Sequence, residues 1–486
     1  MDSNTKSKVV KGFKWSSAQS FITQALQFII SIIIARQLLP SDYGILGMLA
    51  IFIGISSTFL NSGFGSALIQ KKEASQADFS TAFYFNVGMG IFLYLLLFFC
   101  APLIADFYAQ PILVPVTRVY LLTLIINALN ISQRARLSRR LDFKTSAVIT
   151  IISLVISGIV GIWLAYSGYG VWALVWQGIA SSLSYSAILW IKEQWLPSLV
   201  FSKESFNALF GFGCKILGSS LINSIYSNIS TLIIGKAFHA TDLGYFSRAQ
   251  NFSALPGNTL TNIVIGVNYP VLSRYQDDNE QLLANYRVLM RVPVFILFPI
   301  LFGMASLAHP MIEVLIGSKW LESAPMIMIL CAGCLWQPLT HINLNLLYVK
   351  GRTDLVLRLE LIKKPIAFLM LFSAIPFGIY GMCVSIALYD FVAFCFNCYY
   401  THKILNYGFW KQMKELLPIL GYSAFMTCIV WVVTTPLPDN ILKLVIGIPI
   451  GAISYYLIAR IFRDQTLQSL RTMIVGRIPW FDKILK

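Results

Sequence analysis

The sequence predicts an all-α polytopic membrane protein with about 14 transmembrane helices, in which two parallel six-helix repeats form two lobes and two further helices follow at the C-terminus. Three observations lead to this fold class. Hydrophobic residues make up 57% of the 486 residues and charged residues only 12%, and apolar runs of about 20 residues match the thickness of a bilayer core. A sequence motif returns after 200 residues. Basic residues are concentrated in alternate loops.

The apolar runs define the spans in order. The first run follows a basic start and continues into a charged loop without a small-residue cleavage site, so we expect a retained span rather than a signal peptide. The eighth run is unusually polar, because it contains Pro256, Gly257, Asn258, Asn262 and Asn268. The predicted spans cover residues 13–35, 44–66, 80–102, 112–132, 146–167, 169–190, 210–234, 250–272, 292–308, 325–348, 358–377, 379–401, 414–435 and 440–460.

The distribution of charge supports this order of spans. With both termini in the cytoplasm, 31 of the 37 Lys and Arg residues fall on the cytoplasmic side. Six acidic residues balance the six outer basic residues, so the net charge of +16 lies inside and indicates topology rather than nucleic-acid binding. The outer basic residues are Arg36, Arg118, Lys236, Arg248, Lys319 and Lys443.

The repeat motif ends the first span of each copy. Residues 35–44 read ARQLLPSDYG and residues 235–244 read GKAFHATDLG, so Arg36, Ser41, Asp42 and Gly44 return as Lys236, Thr241, Asp242 and Gly244. Polar residues inside the two helices also coincide, at helical spacing: Ser20 with Ser220, Thr23 with Asn223, Gln24 with Ser224, Gln27 with Ser227 and Ser31 with Thr231. Repeated membrane helices that carry a polar stripe and end in a cation are typical of transporters, whose substrate sites lie between repeats.

The second half of each repeat returns with an offset of about 212, since Arg140 and Asp142 precede the fifth span as Arg352 and Asp354 precede the eleventh. Each copy has six spans, an even number, so the copies are predicted to be parallel. The predicted domains are an N-terminal lobe (1–191), a cytoplasmic linker (192–205), a C-terminal lobe (206–403) and two extra helices with a basic tail (404–486).

Three motifs resemble those of a known family. The stretches KGFKW, ARQLLPSDYG and NSGFGSALIQKK, followed by fourteen spans in a 6 + 6 + 2 arrangement, are similar to the polysaccharide transporter (Wzx-like) family of the multidrug/oligosaccharidyl-lipid/polysaccharide flippase superfamily. The resemblance implies a flippase of the bacterial inner (plasma) membrane. Its substrate would be an undecaprenyl-diphosphate-linked oligosaccharide, moved to the outer leaflet by alternating access, with membrane lipid and other polysaccharide-assembly membrane proteins as further partners.

The diphosphate of such a substrate cannot cross hydrocarbon unpaired, so its path needs cations and hydrogen-bond donors in a watered cleft. Arg36 and Lys236 are the first candidates, Arg248 is a third, and Gln27 and Asn223 are polar candidates on the same helices as the first two. In an alternative interpretation, Arg36 and Lys236 extend to the outer interface and pair with Asp42 and Asp242.

Ion coupling has separate candidates. Asp390 is a carboxylate in the middle of a span, where it must be protonated, paired or hydrated, and Gln337 and His341 are the other polar residues at membrane depth. A role in coupling to H⁺ or Na⁺ follows as a hypothesis. The alternative is a structural pair of Asp390 with His341 or an Asn.

Other function classes fit less well. A multidrug or small-molecule antiporter of the same superfamily is the alternative function, and an acid-lined cleft would favour it. A polymerase or glycosyltransferase would need a large loop or a catalytic domain, but the longest gaps between spans are about 20 residues and no Walker loop occurs. The Cys331/Cys334 and Cys395/Cys398 pairs lie in apolar segments, so we expect packing residues and neither a metal nor another cofactor.

The predicted topology can be tested by labelling. In a background without the native cysteines, a cysteine introduced in the 134–144 loop should be shielded from impermeant thiol reagents in intact cells, whereas one near Gly168 should react. The reason is that the first loop is strongly basic and the second has no basic residue. Equal labelling of both positions would contradict the predicted topology.

Overall fold

The computed structural model describes residues 3–61, 63–71, 73–468 and 470, and within these ranges it leaves undescribed the side chains of residues 3–18, 212, 215, 216, 219 and 262–270. In these residues the chain is helical and contains no strand. It forms two compact units, residues 1–244 and 245–486. The predicted lobe boundary at residue 206 is a separate inference from the repeat and stays a prediction, as does the cytoplasmic position of the two termini.

The first unit contains ten helices and the beginning of an eleventh within the described residues. They are α1 (Ser3–Gln37), α2 (Pro40–Asn61), α3 (Phe64–Gln70), α4 (Gln76–Tyr108), α5 (Leu113–Tyr120), α6 (Leu122–Ala128), α7 (Ile131–Arg139), α8 (Phe143–Tyr166), α9 (Val171–Glu193), α10 (Lys203–Ala237) and α11 (Ala240–Ser273).

The second unit begins within α11, at Tyr245, and contains eight further α-helices in its described part. They are α12 (Asn279–Ser306), α13 (Ala308–Ile316), α14 (Ser323–Cys334), α15 (Gln337–Val349), α16 (Thr353–Ala374), α17 (Gly378–Leu405), α18 (Phe409–Thr434) and α19 (Asn440–Ile461). Short 3-10 helices at Ser318–Trp320 and Ile375–Phe377 join α13 to α14 and α16 to α17.

The helices confirm the predicted class of polytopic α-helical membrane protein, but they do not fix the number of spans. Ten stretches of the described chain are long and apolar enough to cross a membrane, and a bent pair, α5–α6 with α7, makes an eleventh. One of the ten, Thr353–Leu405, has 53 residues and contains both α16 and α17, which is enough for two spans of about 20 residues. The helices α10 and α11 are more polar and are not among the ten. Fourteen spans therefore stay a prediction.

The N-terminal ends of α2 and α11 touch through their backbones. A methyl group on Gly44 would lie 1.7 Å from the carbonyl oxygen of Ala240, and a methyl group on Gly244 would lie 1.8 Å from the carbonyl oxygen of Pro40. The two contacts are equivalent, because Gly244 corresponds to Gly44 and Ala240 to Pro40 in the repeat. The glycine of each motif copy therefore contacts the carbonyl group at the start of the other copy's helix. Only glycine allows this approach.

The segment between α9 and α10, predicted as a linker, is bound to the start of α4. Trp195 is buried against Phe79 and Phe83, and its indole N–H donates to Gln76 at 2.7 Å. Farther along, the backbone N–H groups of Ser198 and Ser202 donate to the hydroxyl groups of Ser80 and Thr81, each at 3.0 Å. The segment is therefore a packed part of the first unit.

The reciprocal contact predicts that alanine substitutions at Gly44 and Gly244 destabilise the protein more than an alanine substitution at a glycine without such a contact. Gly44→Ala and Gly244→Ala should each lower the free energy of unfolding by roughly 1–3 kcal/mol, because the added methyl group collides with a backbone carbonyl. The measurement is thermal unfolding of the purified protein in detergent.

Gly88 provides the matched control, because it also lies in a helix, α4, and a methyl group there would meet nothing within 4 Å. Gly88→Ala should be neutral or stabilise by up to about 1 kcal/mol through helix propensity. A Gly44→Ala protein as stable as the Gly88→Ala protein would show that the contact is absent.

Candidate functional site

The repeat-motif cations of the two copies occupy equivalent places. Arg36 lies in the last turn of α1 and Lys236 in the last turn of α10, and both side chains are exposed. The ammonium group of Lys236 donates to the carbonyl oxygen of Phe107 at 2.6 Å and lies 4.6 Å from the centre of that ring. Lys236 is therefore held at the C-terminal end of α4, where exposed carbonyl groups favour a cation.

The two aspartates of the motif cap the helices that follow. Oδ2 of Asp42 accepts a hydrogen bond from the backbone N–H of Leu39 at 2.9 Å, and Oδ2 of Asp242 accepts one from His239 at 3.1 Å. The alternative interpretation paired Lys236 with Asp242. In the described chain, the ammonium group of Lys236 instead donates to the carbonyl oxygen of Phe107. The two aspartates thus shape the motif through the backbone.

The polar stripe is only partly exposed. Gln27 on α1 and Asn223 on α10 are exposed, and their role in substrate binding stays a prediction. Ser224 and Asn228, by contrast, face α2, since a methyl group on Gly54 would lie 2.9 Å from the amide nitrogen of Asn228 and 3.1 Å from the hydroxyl oxygen of Ser224. Part of the predicted stripe therefore belongs to a helix contact.

Arg248 differs from the other two candidate cations because only 9% of it is exposed. It lies on α11, which continues without a break through Pro256 and Gly257. Proline removes one donor, but membrane helices tolerate it where neighbouring groups satisfy the freed carbonyl. Asn258 is exposed, whereas the side chains of Asn262 and Asn268 lie outside the described residues.

The candidate coupling residues Asp390 and Gln337 are in direct contact. The side-chain amide of Gln337 donates to Oδ2 of Asp390 at 3.1 Å, and thus joins α15 to α17. Gly333 allows this approach, because a methyl group there would lie 2.7 Å from the Cα of Ala387. The partner of Asp390 is therefore Gln337, and not His341 or an Asn as in the structural alternative.

A helix break lies beside this pair. The tenth predicted span consists of α14 and α15, which are separated at Leu335 and Trp336. Pro338 follows the break and has no N–H to donate to the carbonyl four residues before it. The fourth predicted span, at the corresponding place in the first repeat, is also interrupted, with a bend of 42° beside the fully buried Asn130. Transporters form substrate and ion sites at such discontinuous helices.

From Asp390 a polar stripe continues along α15. Gln337, His341 and Asn345 are spaced by four residues, so they share one face and extend over about 12 Å. Gln337 is half-buried, His341 is exposed and Asn345 is buried. The stripe leads from the helix break to the end of α15 that the charge pattern assigns to the cytoplasm.

Charged residues on the next helix, α16, lie near this stripe and were not among the predicted site residues. The ammonium group of Lys363 lies 2.7 Å from Oε1 of Glu360, and only 3% of the Lys363 side chain is exposed. Lys364 lies 3.6 Å from the other oxygen of Glu360, and both Glu360 and Lys363 act electrostatically on His341. The signal in the sequence is an acid three and four residues before two lysines within an apolar span.

Neither CxxC pair forms a disulfide, because all eight cysteines are free thiols. Cys331, Cys334 and Cys398 are buried and Cys395 is half-buried, in agreement with packing roles. Within the described residues, no group of three or more His, Cys, Asp or Glu side chains could hold a metal ion.

The sequence of the chain matches a known protein family. Residues 33–325, more than half of the chain, match the profile of a family described as polysaccharide biosynthesis protein. The chain is 26% identical over 364 residues to lipopolysaccharide biosynthesis protein WzxC of Escherichia coli, covering 74% of this chain and 73% of WzxC. It is 23% identical over 484 residues to succinoglycan biosynthesis transport protein ExoT of Rhizobium meliloti, covering 97% and 96%.

The fold resembles that of a solved flippase. The structure of lipid II flippase MurJ in an inward closed conformation superposes with a TM-score of 0.74 and 15% sequence identity, covering 92% of this chain and 98% of MurJ. At this level of identity the likeness concerns the fold alone.

Proposed function

Because the chain belongs to the polysaccharide biosynthesis protein family, we propose that it is a flippase for an undecaprenyl-diphosphate-linked oligosaccharide, a repeat unit of O-antigen, capsule or exopolysaccharide. It would move this substrate from the inner to the outer leaflet of the bacterial inner membrane by alternating access. Membership of the family and the transporter-like fold support the coarser statement, a multi-pass membrane transporter rather than an enzyme. The observation that carries the substrate class is the pair of equivalent cations on α1 and α10.

The chemistry of a lipid diphosphate accounts for these cations. Arg36 offers a planar fork that can donate two parallel hydrogen bonds to phosphate oxygens, and Lys236 offers a point charge. Both are exposed in the last turn of a helix, where a passing anion can reach them. The hydrocarbon tail needs no protein partner, since it can stay in the bilayer during transfer.

Asp390 is the proposed coupling group. It is half-buried, lies beside a helix interruption at the predicted membrane depth and accepts a hydrogen bond from the neutral amide of Gln337, which does not neutralise a carboxylate. In a membrane interior, a carboxylate without a paired cation binds H⁺ or Na⁺ at a lower cost than it stays bare. The stripe along α15 and the Glu360–Lys363 pair provide polar groups through which such an ion can move.

Membrane potential offers a second driving force. In an inside-negative cell, outward movement of an anion is favoured by about 2.3 kcal/mol per net charge per 100 mV. If Arg36 and Lys236 neutralise the diphosphate and move with it, this contribution vanishes and an ion-binding group must drive transport. An antiporter of small molecules is the second candidate function, and an acid-lined cleft would favour it, which Asp390 alone does not supply.

The substrate class is tested by deletion of the gene, followed by mass analysis of lipid-linked sugars. We expect a lipid diphosphate oligosaccharide to accumulate on the cytoplasmic leaflet and a plasmid copy of the gene to remove it. An unchanged lipid-sugar profile, together with increased sensitivity to small toxic compounds, would favour the antiporter.

Complementation of the same deletion strain tests the cations. Arg36→Gln and Lys236→Gln should each impair glycan export at normal protein abundance, and Arg36→Lys should be milder because it retains the charge. Lys443→Gln, at another basic residue predicted on the outer side, is the matched control and should export normally. Normal export by the double variant Arg36→Gln/Lys236→Gln would exclude both residues from the mechanism.

Reconstituted vesicles test Asp390. Asp390→Asn keeps an acceptor for Gln337 but removes the ionisable group, so transport should lose its dependence on an ion gradient while the protein stays folded. Gln337→Leu is the control, because it breaks the hydrogen bond and keeps the carboxylate. Low abundance of both variants would indicate a structural pair, and unchanged gradient dependence in Asp390→Asn would rule out coupling there.

A further inference from the structure

The second unit contains a basic pocket that the proposed transport mechanism does not use. It has a volume of about 770 Å³ and lies between α12, α18 and the ends of α17 and α19. Five basic side chains line it, against two acidic ones, Glu415 and Asp464. The basic residues are Arg287, Arg291, Lys411, Lys414 and Arg463.

The two acidic residues hold the walls of the pocket in place. Glu415 on α18 pairs with Arg287 on α12, and its side chain is only 12% exposed. Asp464, after α19, pairs with Arg291 on α12 at 3.2 Å, and Arg291 also donates to the hydroxyl group of Thr466 at 3.1 Å. These pairs bind three segments together, so the pocket has a built geometry and is not a gap between loose side chains.

Three basic residues of the pocket lie outside these pairs and are exposed, Lys411, Lys414 and Arg463, and of these Lys411 donates to the carbonyl oxygen of Asn406 at 2.7 Å. Arg463 has a positive φ of 51°, a conformation that favours glycine. It closes the C-terminus of α19, since the N–H of Asp464 donates to the carbonyl of Ala459 at 2.9 Å. Glycine would suit the helix end better, whereas Arg463 places an exposed positive charge in the lining of the pocket.

The position of the pocket indicates a lipid ligand. Phe462 lines the pocket and is 67% exposed, and Trp410, which precedes the lining residue Lys411 in the chain, is 82% exposed, as is typical of side chains at a membrane interface. Apolar lining residues, among them Leu283 and Pro418, accompany the charges. We infer that this pocket binds the phosphate headgroup of an anionic phospholipid, such as cardiolipin or phosphatidylglycerol, of the cytoplasmic leaflet.

The chain that follows the pocket is a poor alternative occupant. Residues 469–486 contain four basic residues, Arg471, Arg477, Lys483 and Lys486, and a single acidic one, Asp482. Their net charge has the same sign as the pocket, so repulsion opposes their entry. A phosphate group, whether on a lipid or free in the cytosol, has the complementary charge.

Native mass spectrometry of the full-length protein in detergent tests this inference, with cardiolipin, phosphatidylethanolamine and inorganic phosphate as probes. The affinity for cardiolipin should fall about tenfold or more in Lys414→Gln/Arg463→Gln, since each basic residue contributes to the attraction of an anionic headgroup. Lys192→Gln/Lys203→Gln removes two exposed charges outside the pocket and should leave the affinity unchanged.

Arg463→Gly separates binding from folding. It relieves the positive φ, so the melting temperature should stay the same or rise while cardiolipin binding falls. Equal loss in the pocket and control variants, equal binding of phosphatidylethanolamine, or unchanged cardiolipin binding in Arg463→Gly would overturn the inference. Displacement of cardiolipin by millimolar inorganic phosphate would also overturn it, because the site would then take a free anion.

Discussion

The reciprocal glycine contact between the starts of α2 and α11 is the constraint on which the arrangement of the repeat motifs depends. Gly44 touches the carbonyl of Ala240, and Gly244 touches the carbonyl of Pro40. Pro40 lies four residues after Arg36, and Ala240 lies four residues after Lys236. The C-terminal ends of α1 and α10 therefore lie beside the same contact in the first unit. The motif thus combines a close backbone approach with two positive charges beside it.

Away from this contact, the protein places polar groups where its helices are interrupted. The interruption between α14 and α15 lies beside the Gln337–Asp390 hydrogen bond. The fourth predicted span of the first unit is also interrupted, next to the buried Asn130.

Several buried acidic side chains of the described chain form ion pairs with basic side chains. Glu193 is 5% exposed and is approached by Arg136 and Arg140, and Asp78 is 1% exposed and pairs with Lys71. Such pairs offset the desolvation of a charge only when the geometry is good, and they lose that compensation if one partner is removed. Asp390 differs from these residues, since the group that donates to it is the neutral amide of Gln337. This difference is the physical reason for proposing that it binds an ion.

The sequence by itself determined the class of fold, because hydrophobic composition, span length and the placement of Lys and Arg follow from the bilayer and need no tertiary contact. It also determined the repeat, the family resemblance and the candidate cations, since these are local patterns. Only the tertiary structure decided which polar residues meet. The pairing of Gln337 with Asp390, the Glu360–Lys363 pair and the pocket around Arg287 join residues on different helices or depend on a helix face. The continuity of α11 through Pro256 was decided in the same way, because a membrane helix tolerates the missing donor of a proline only where neighbouring groups satisfy the freed carbonyl.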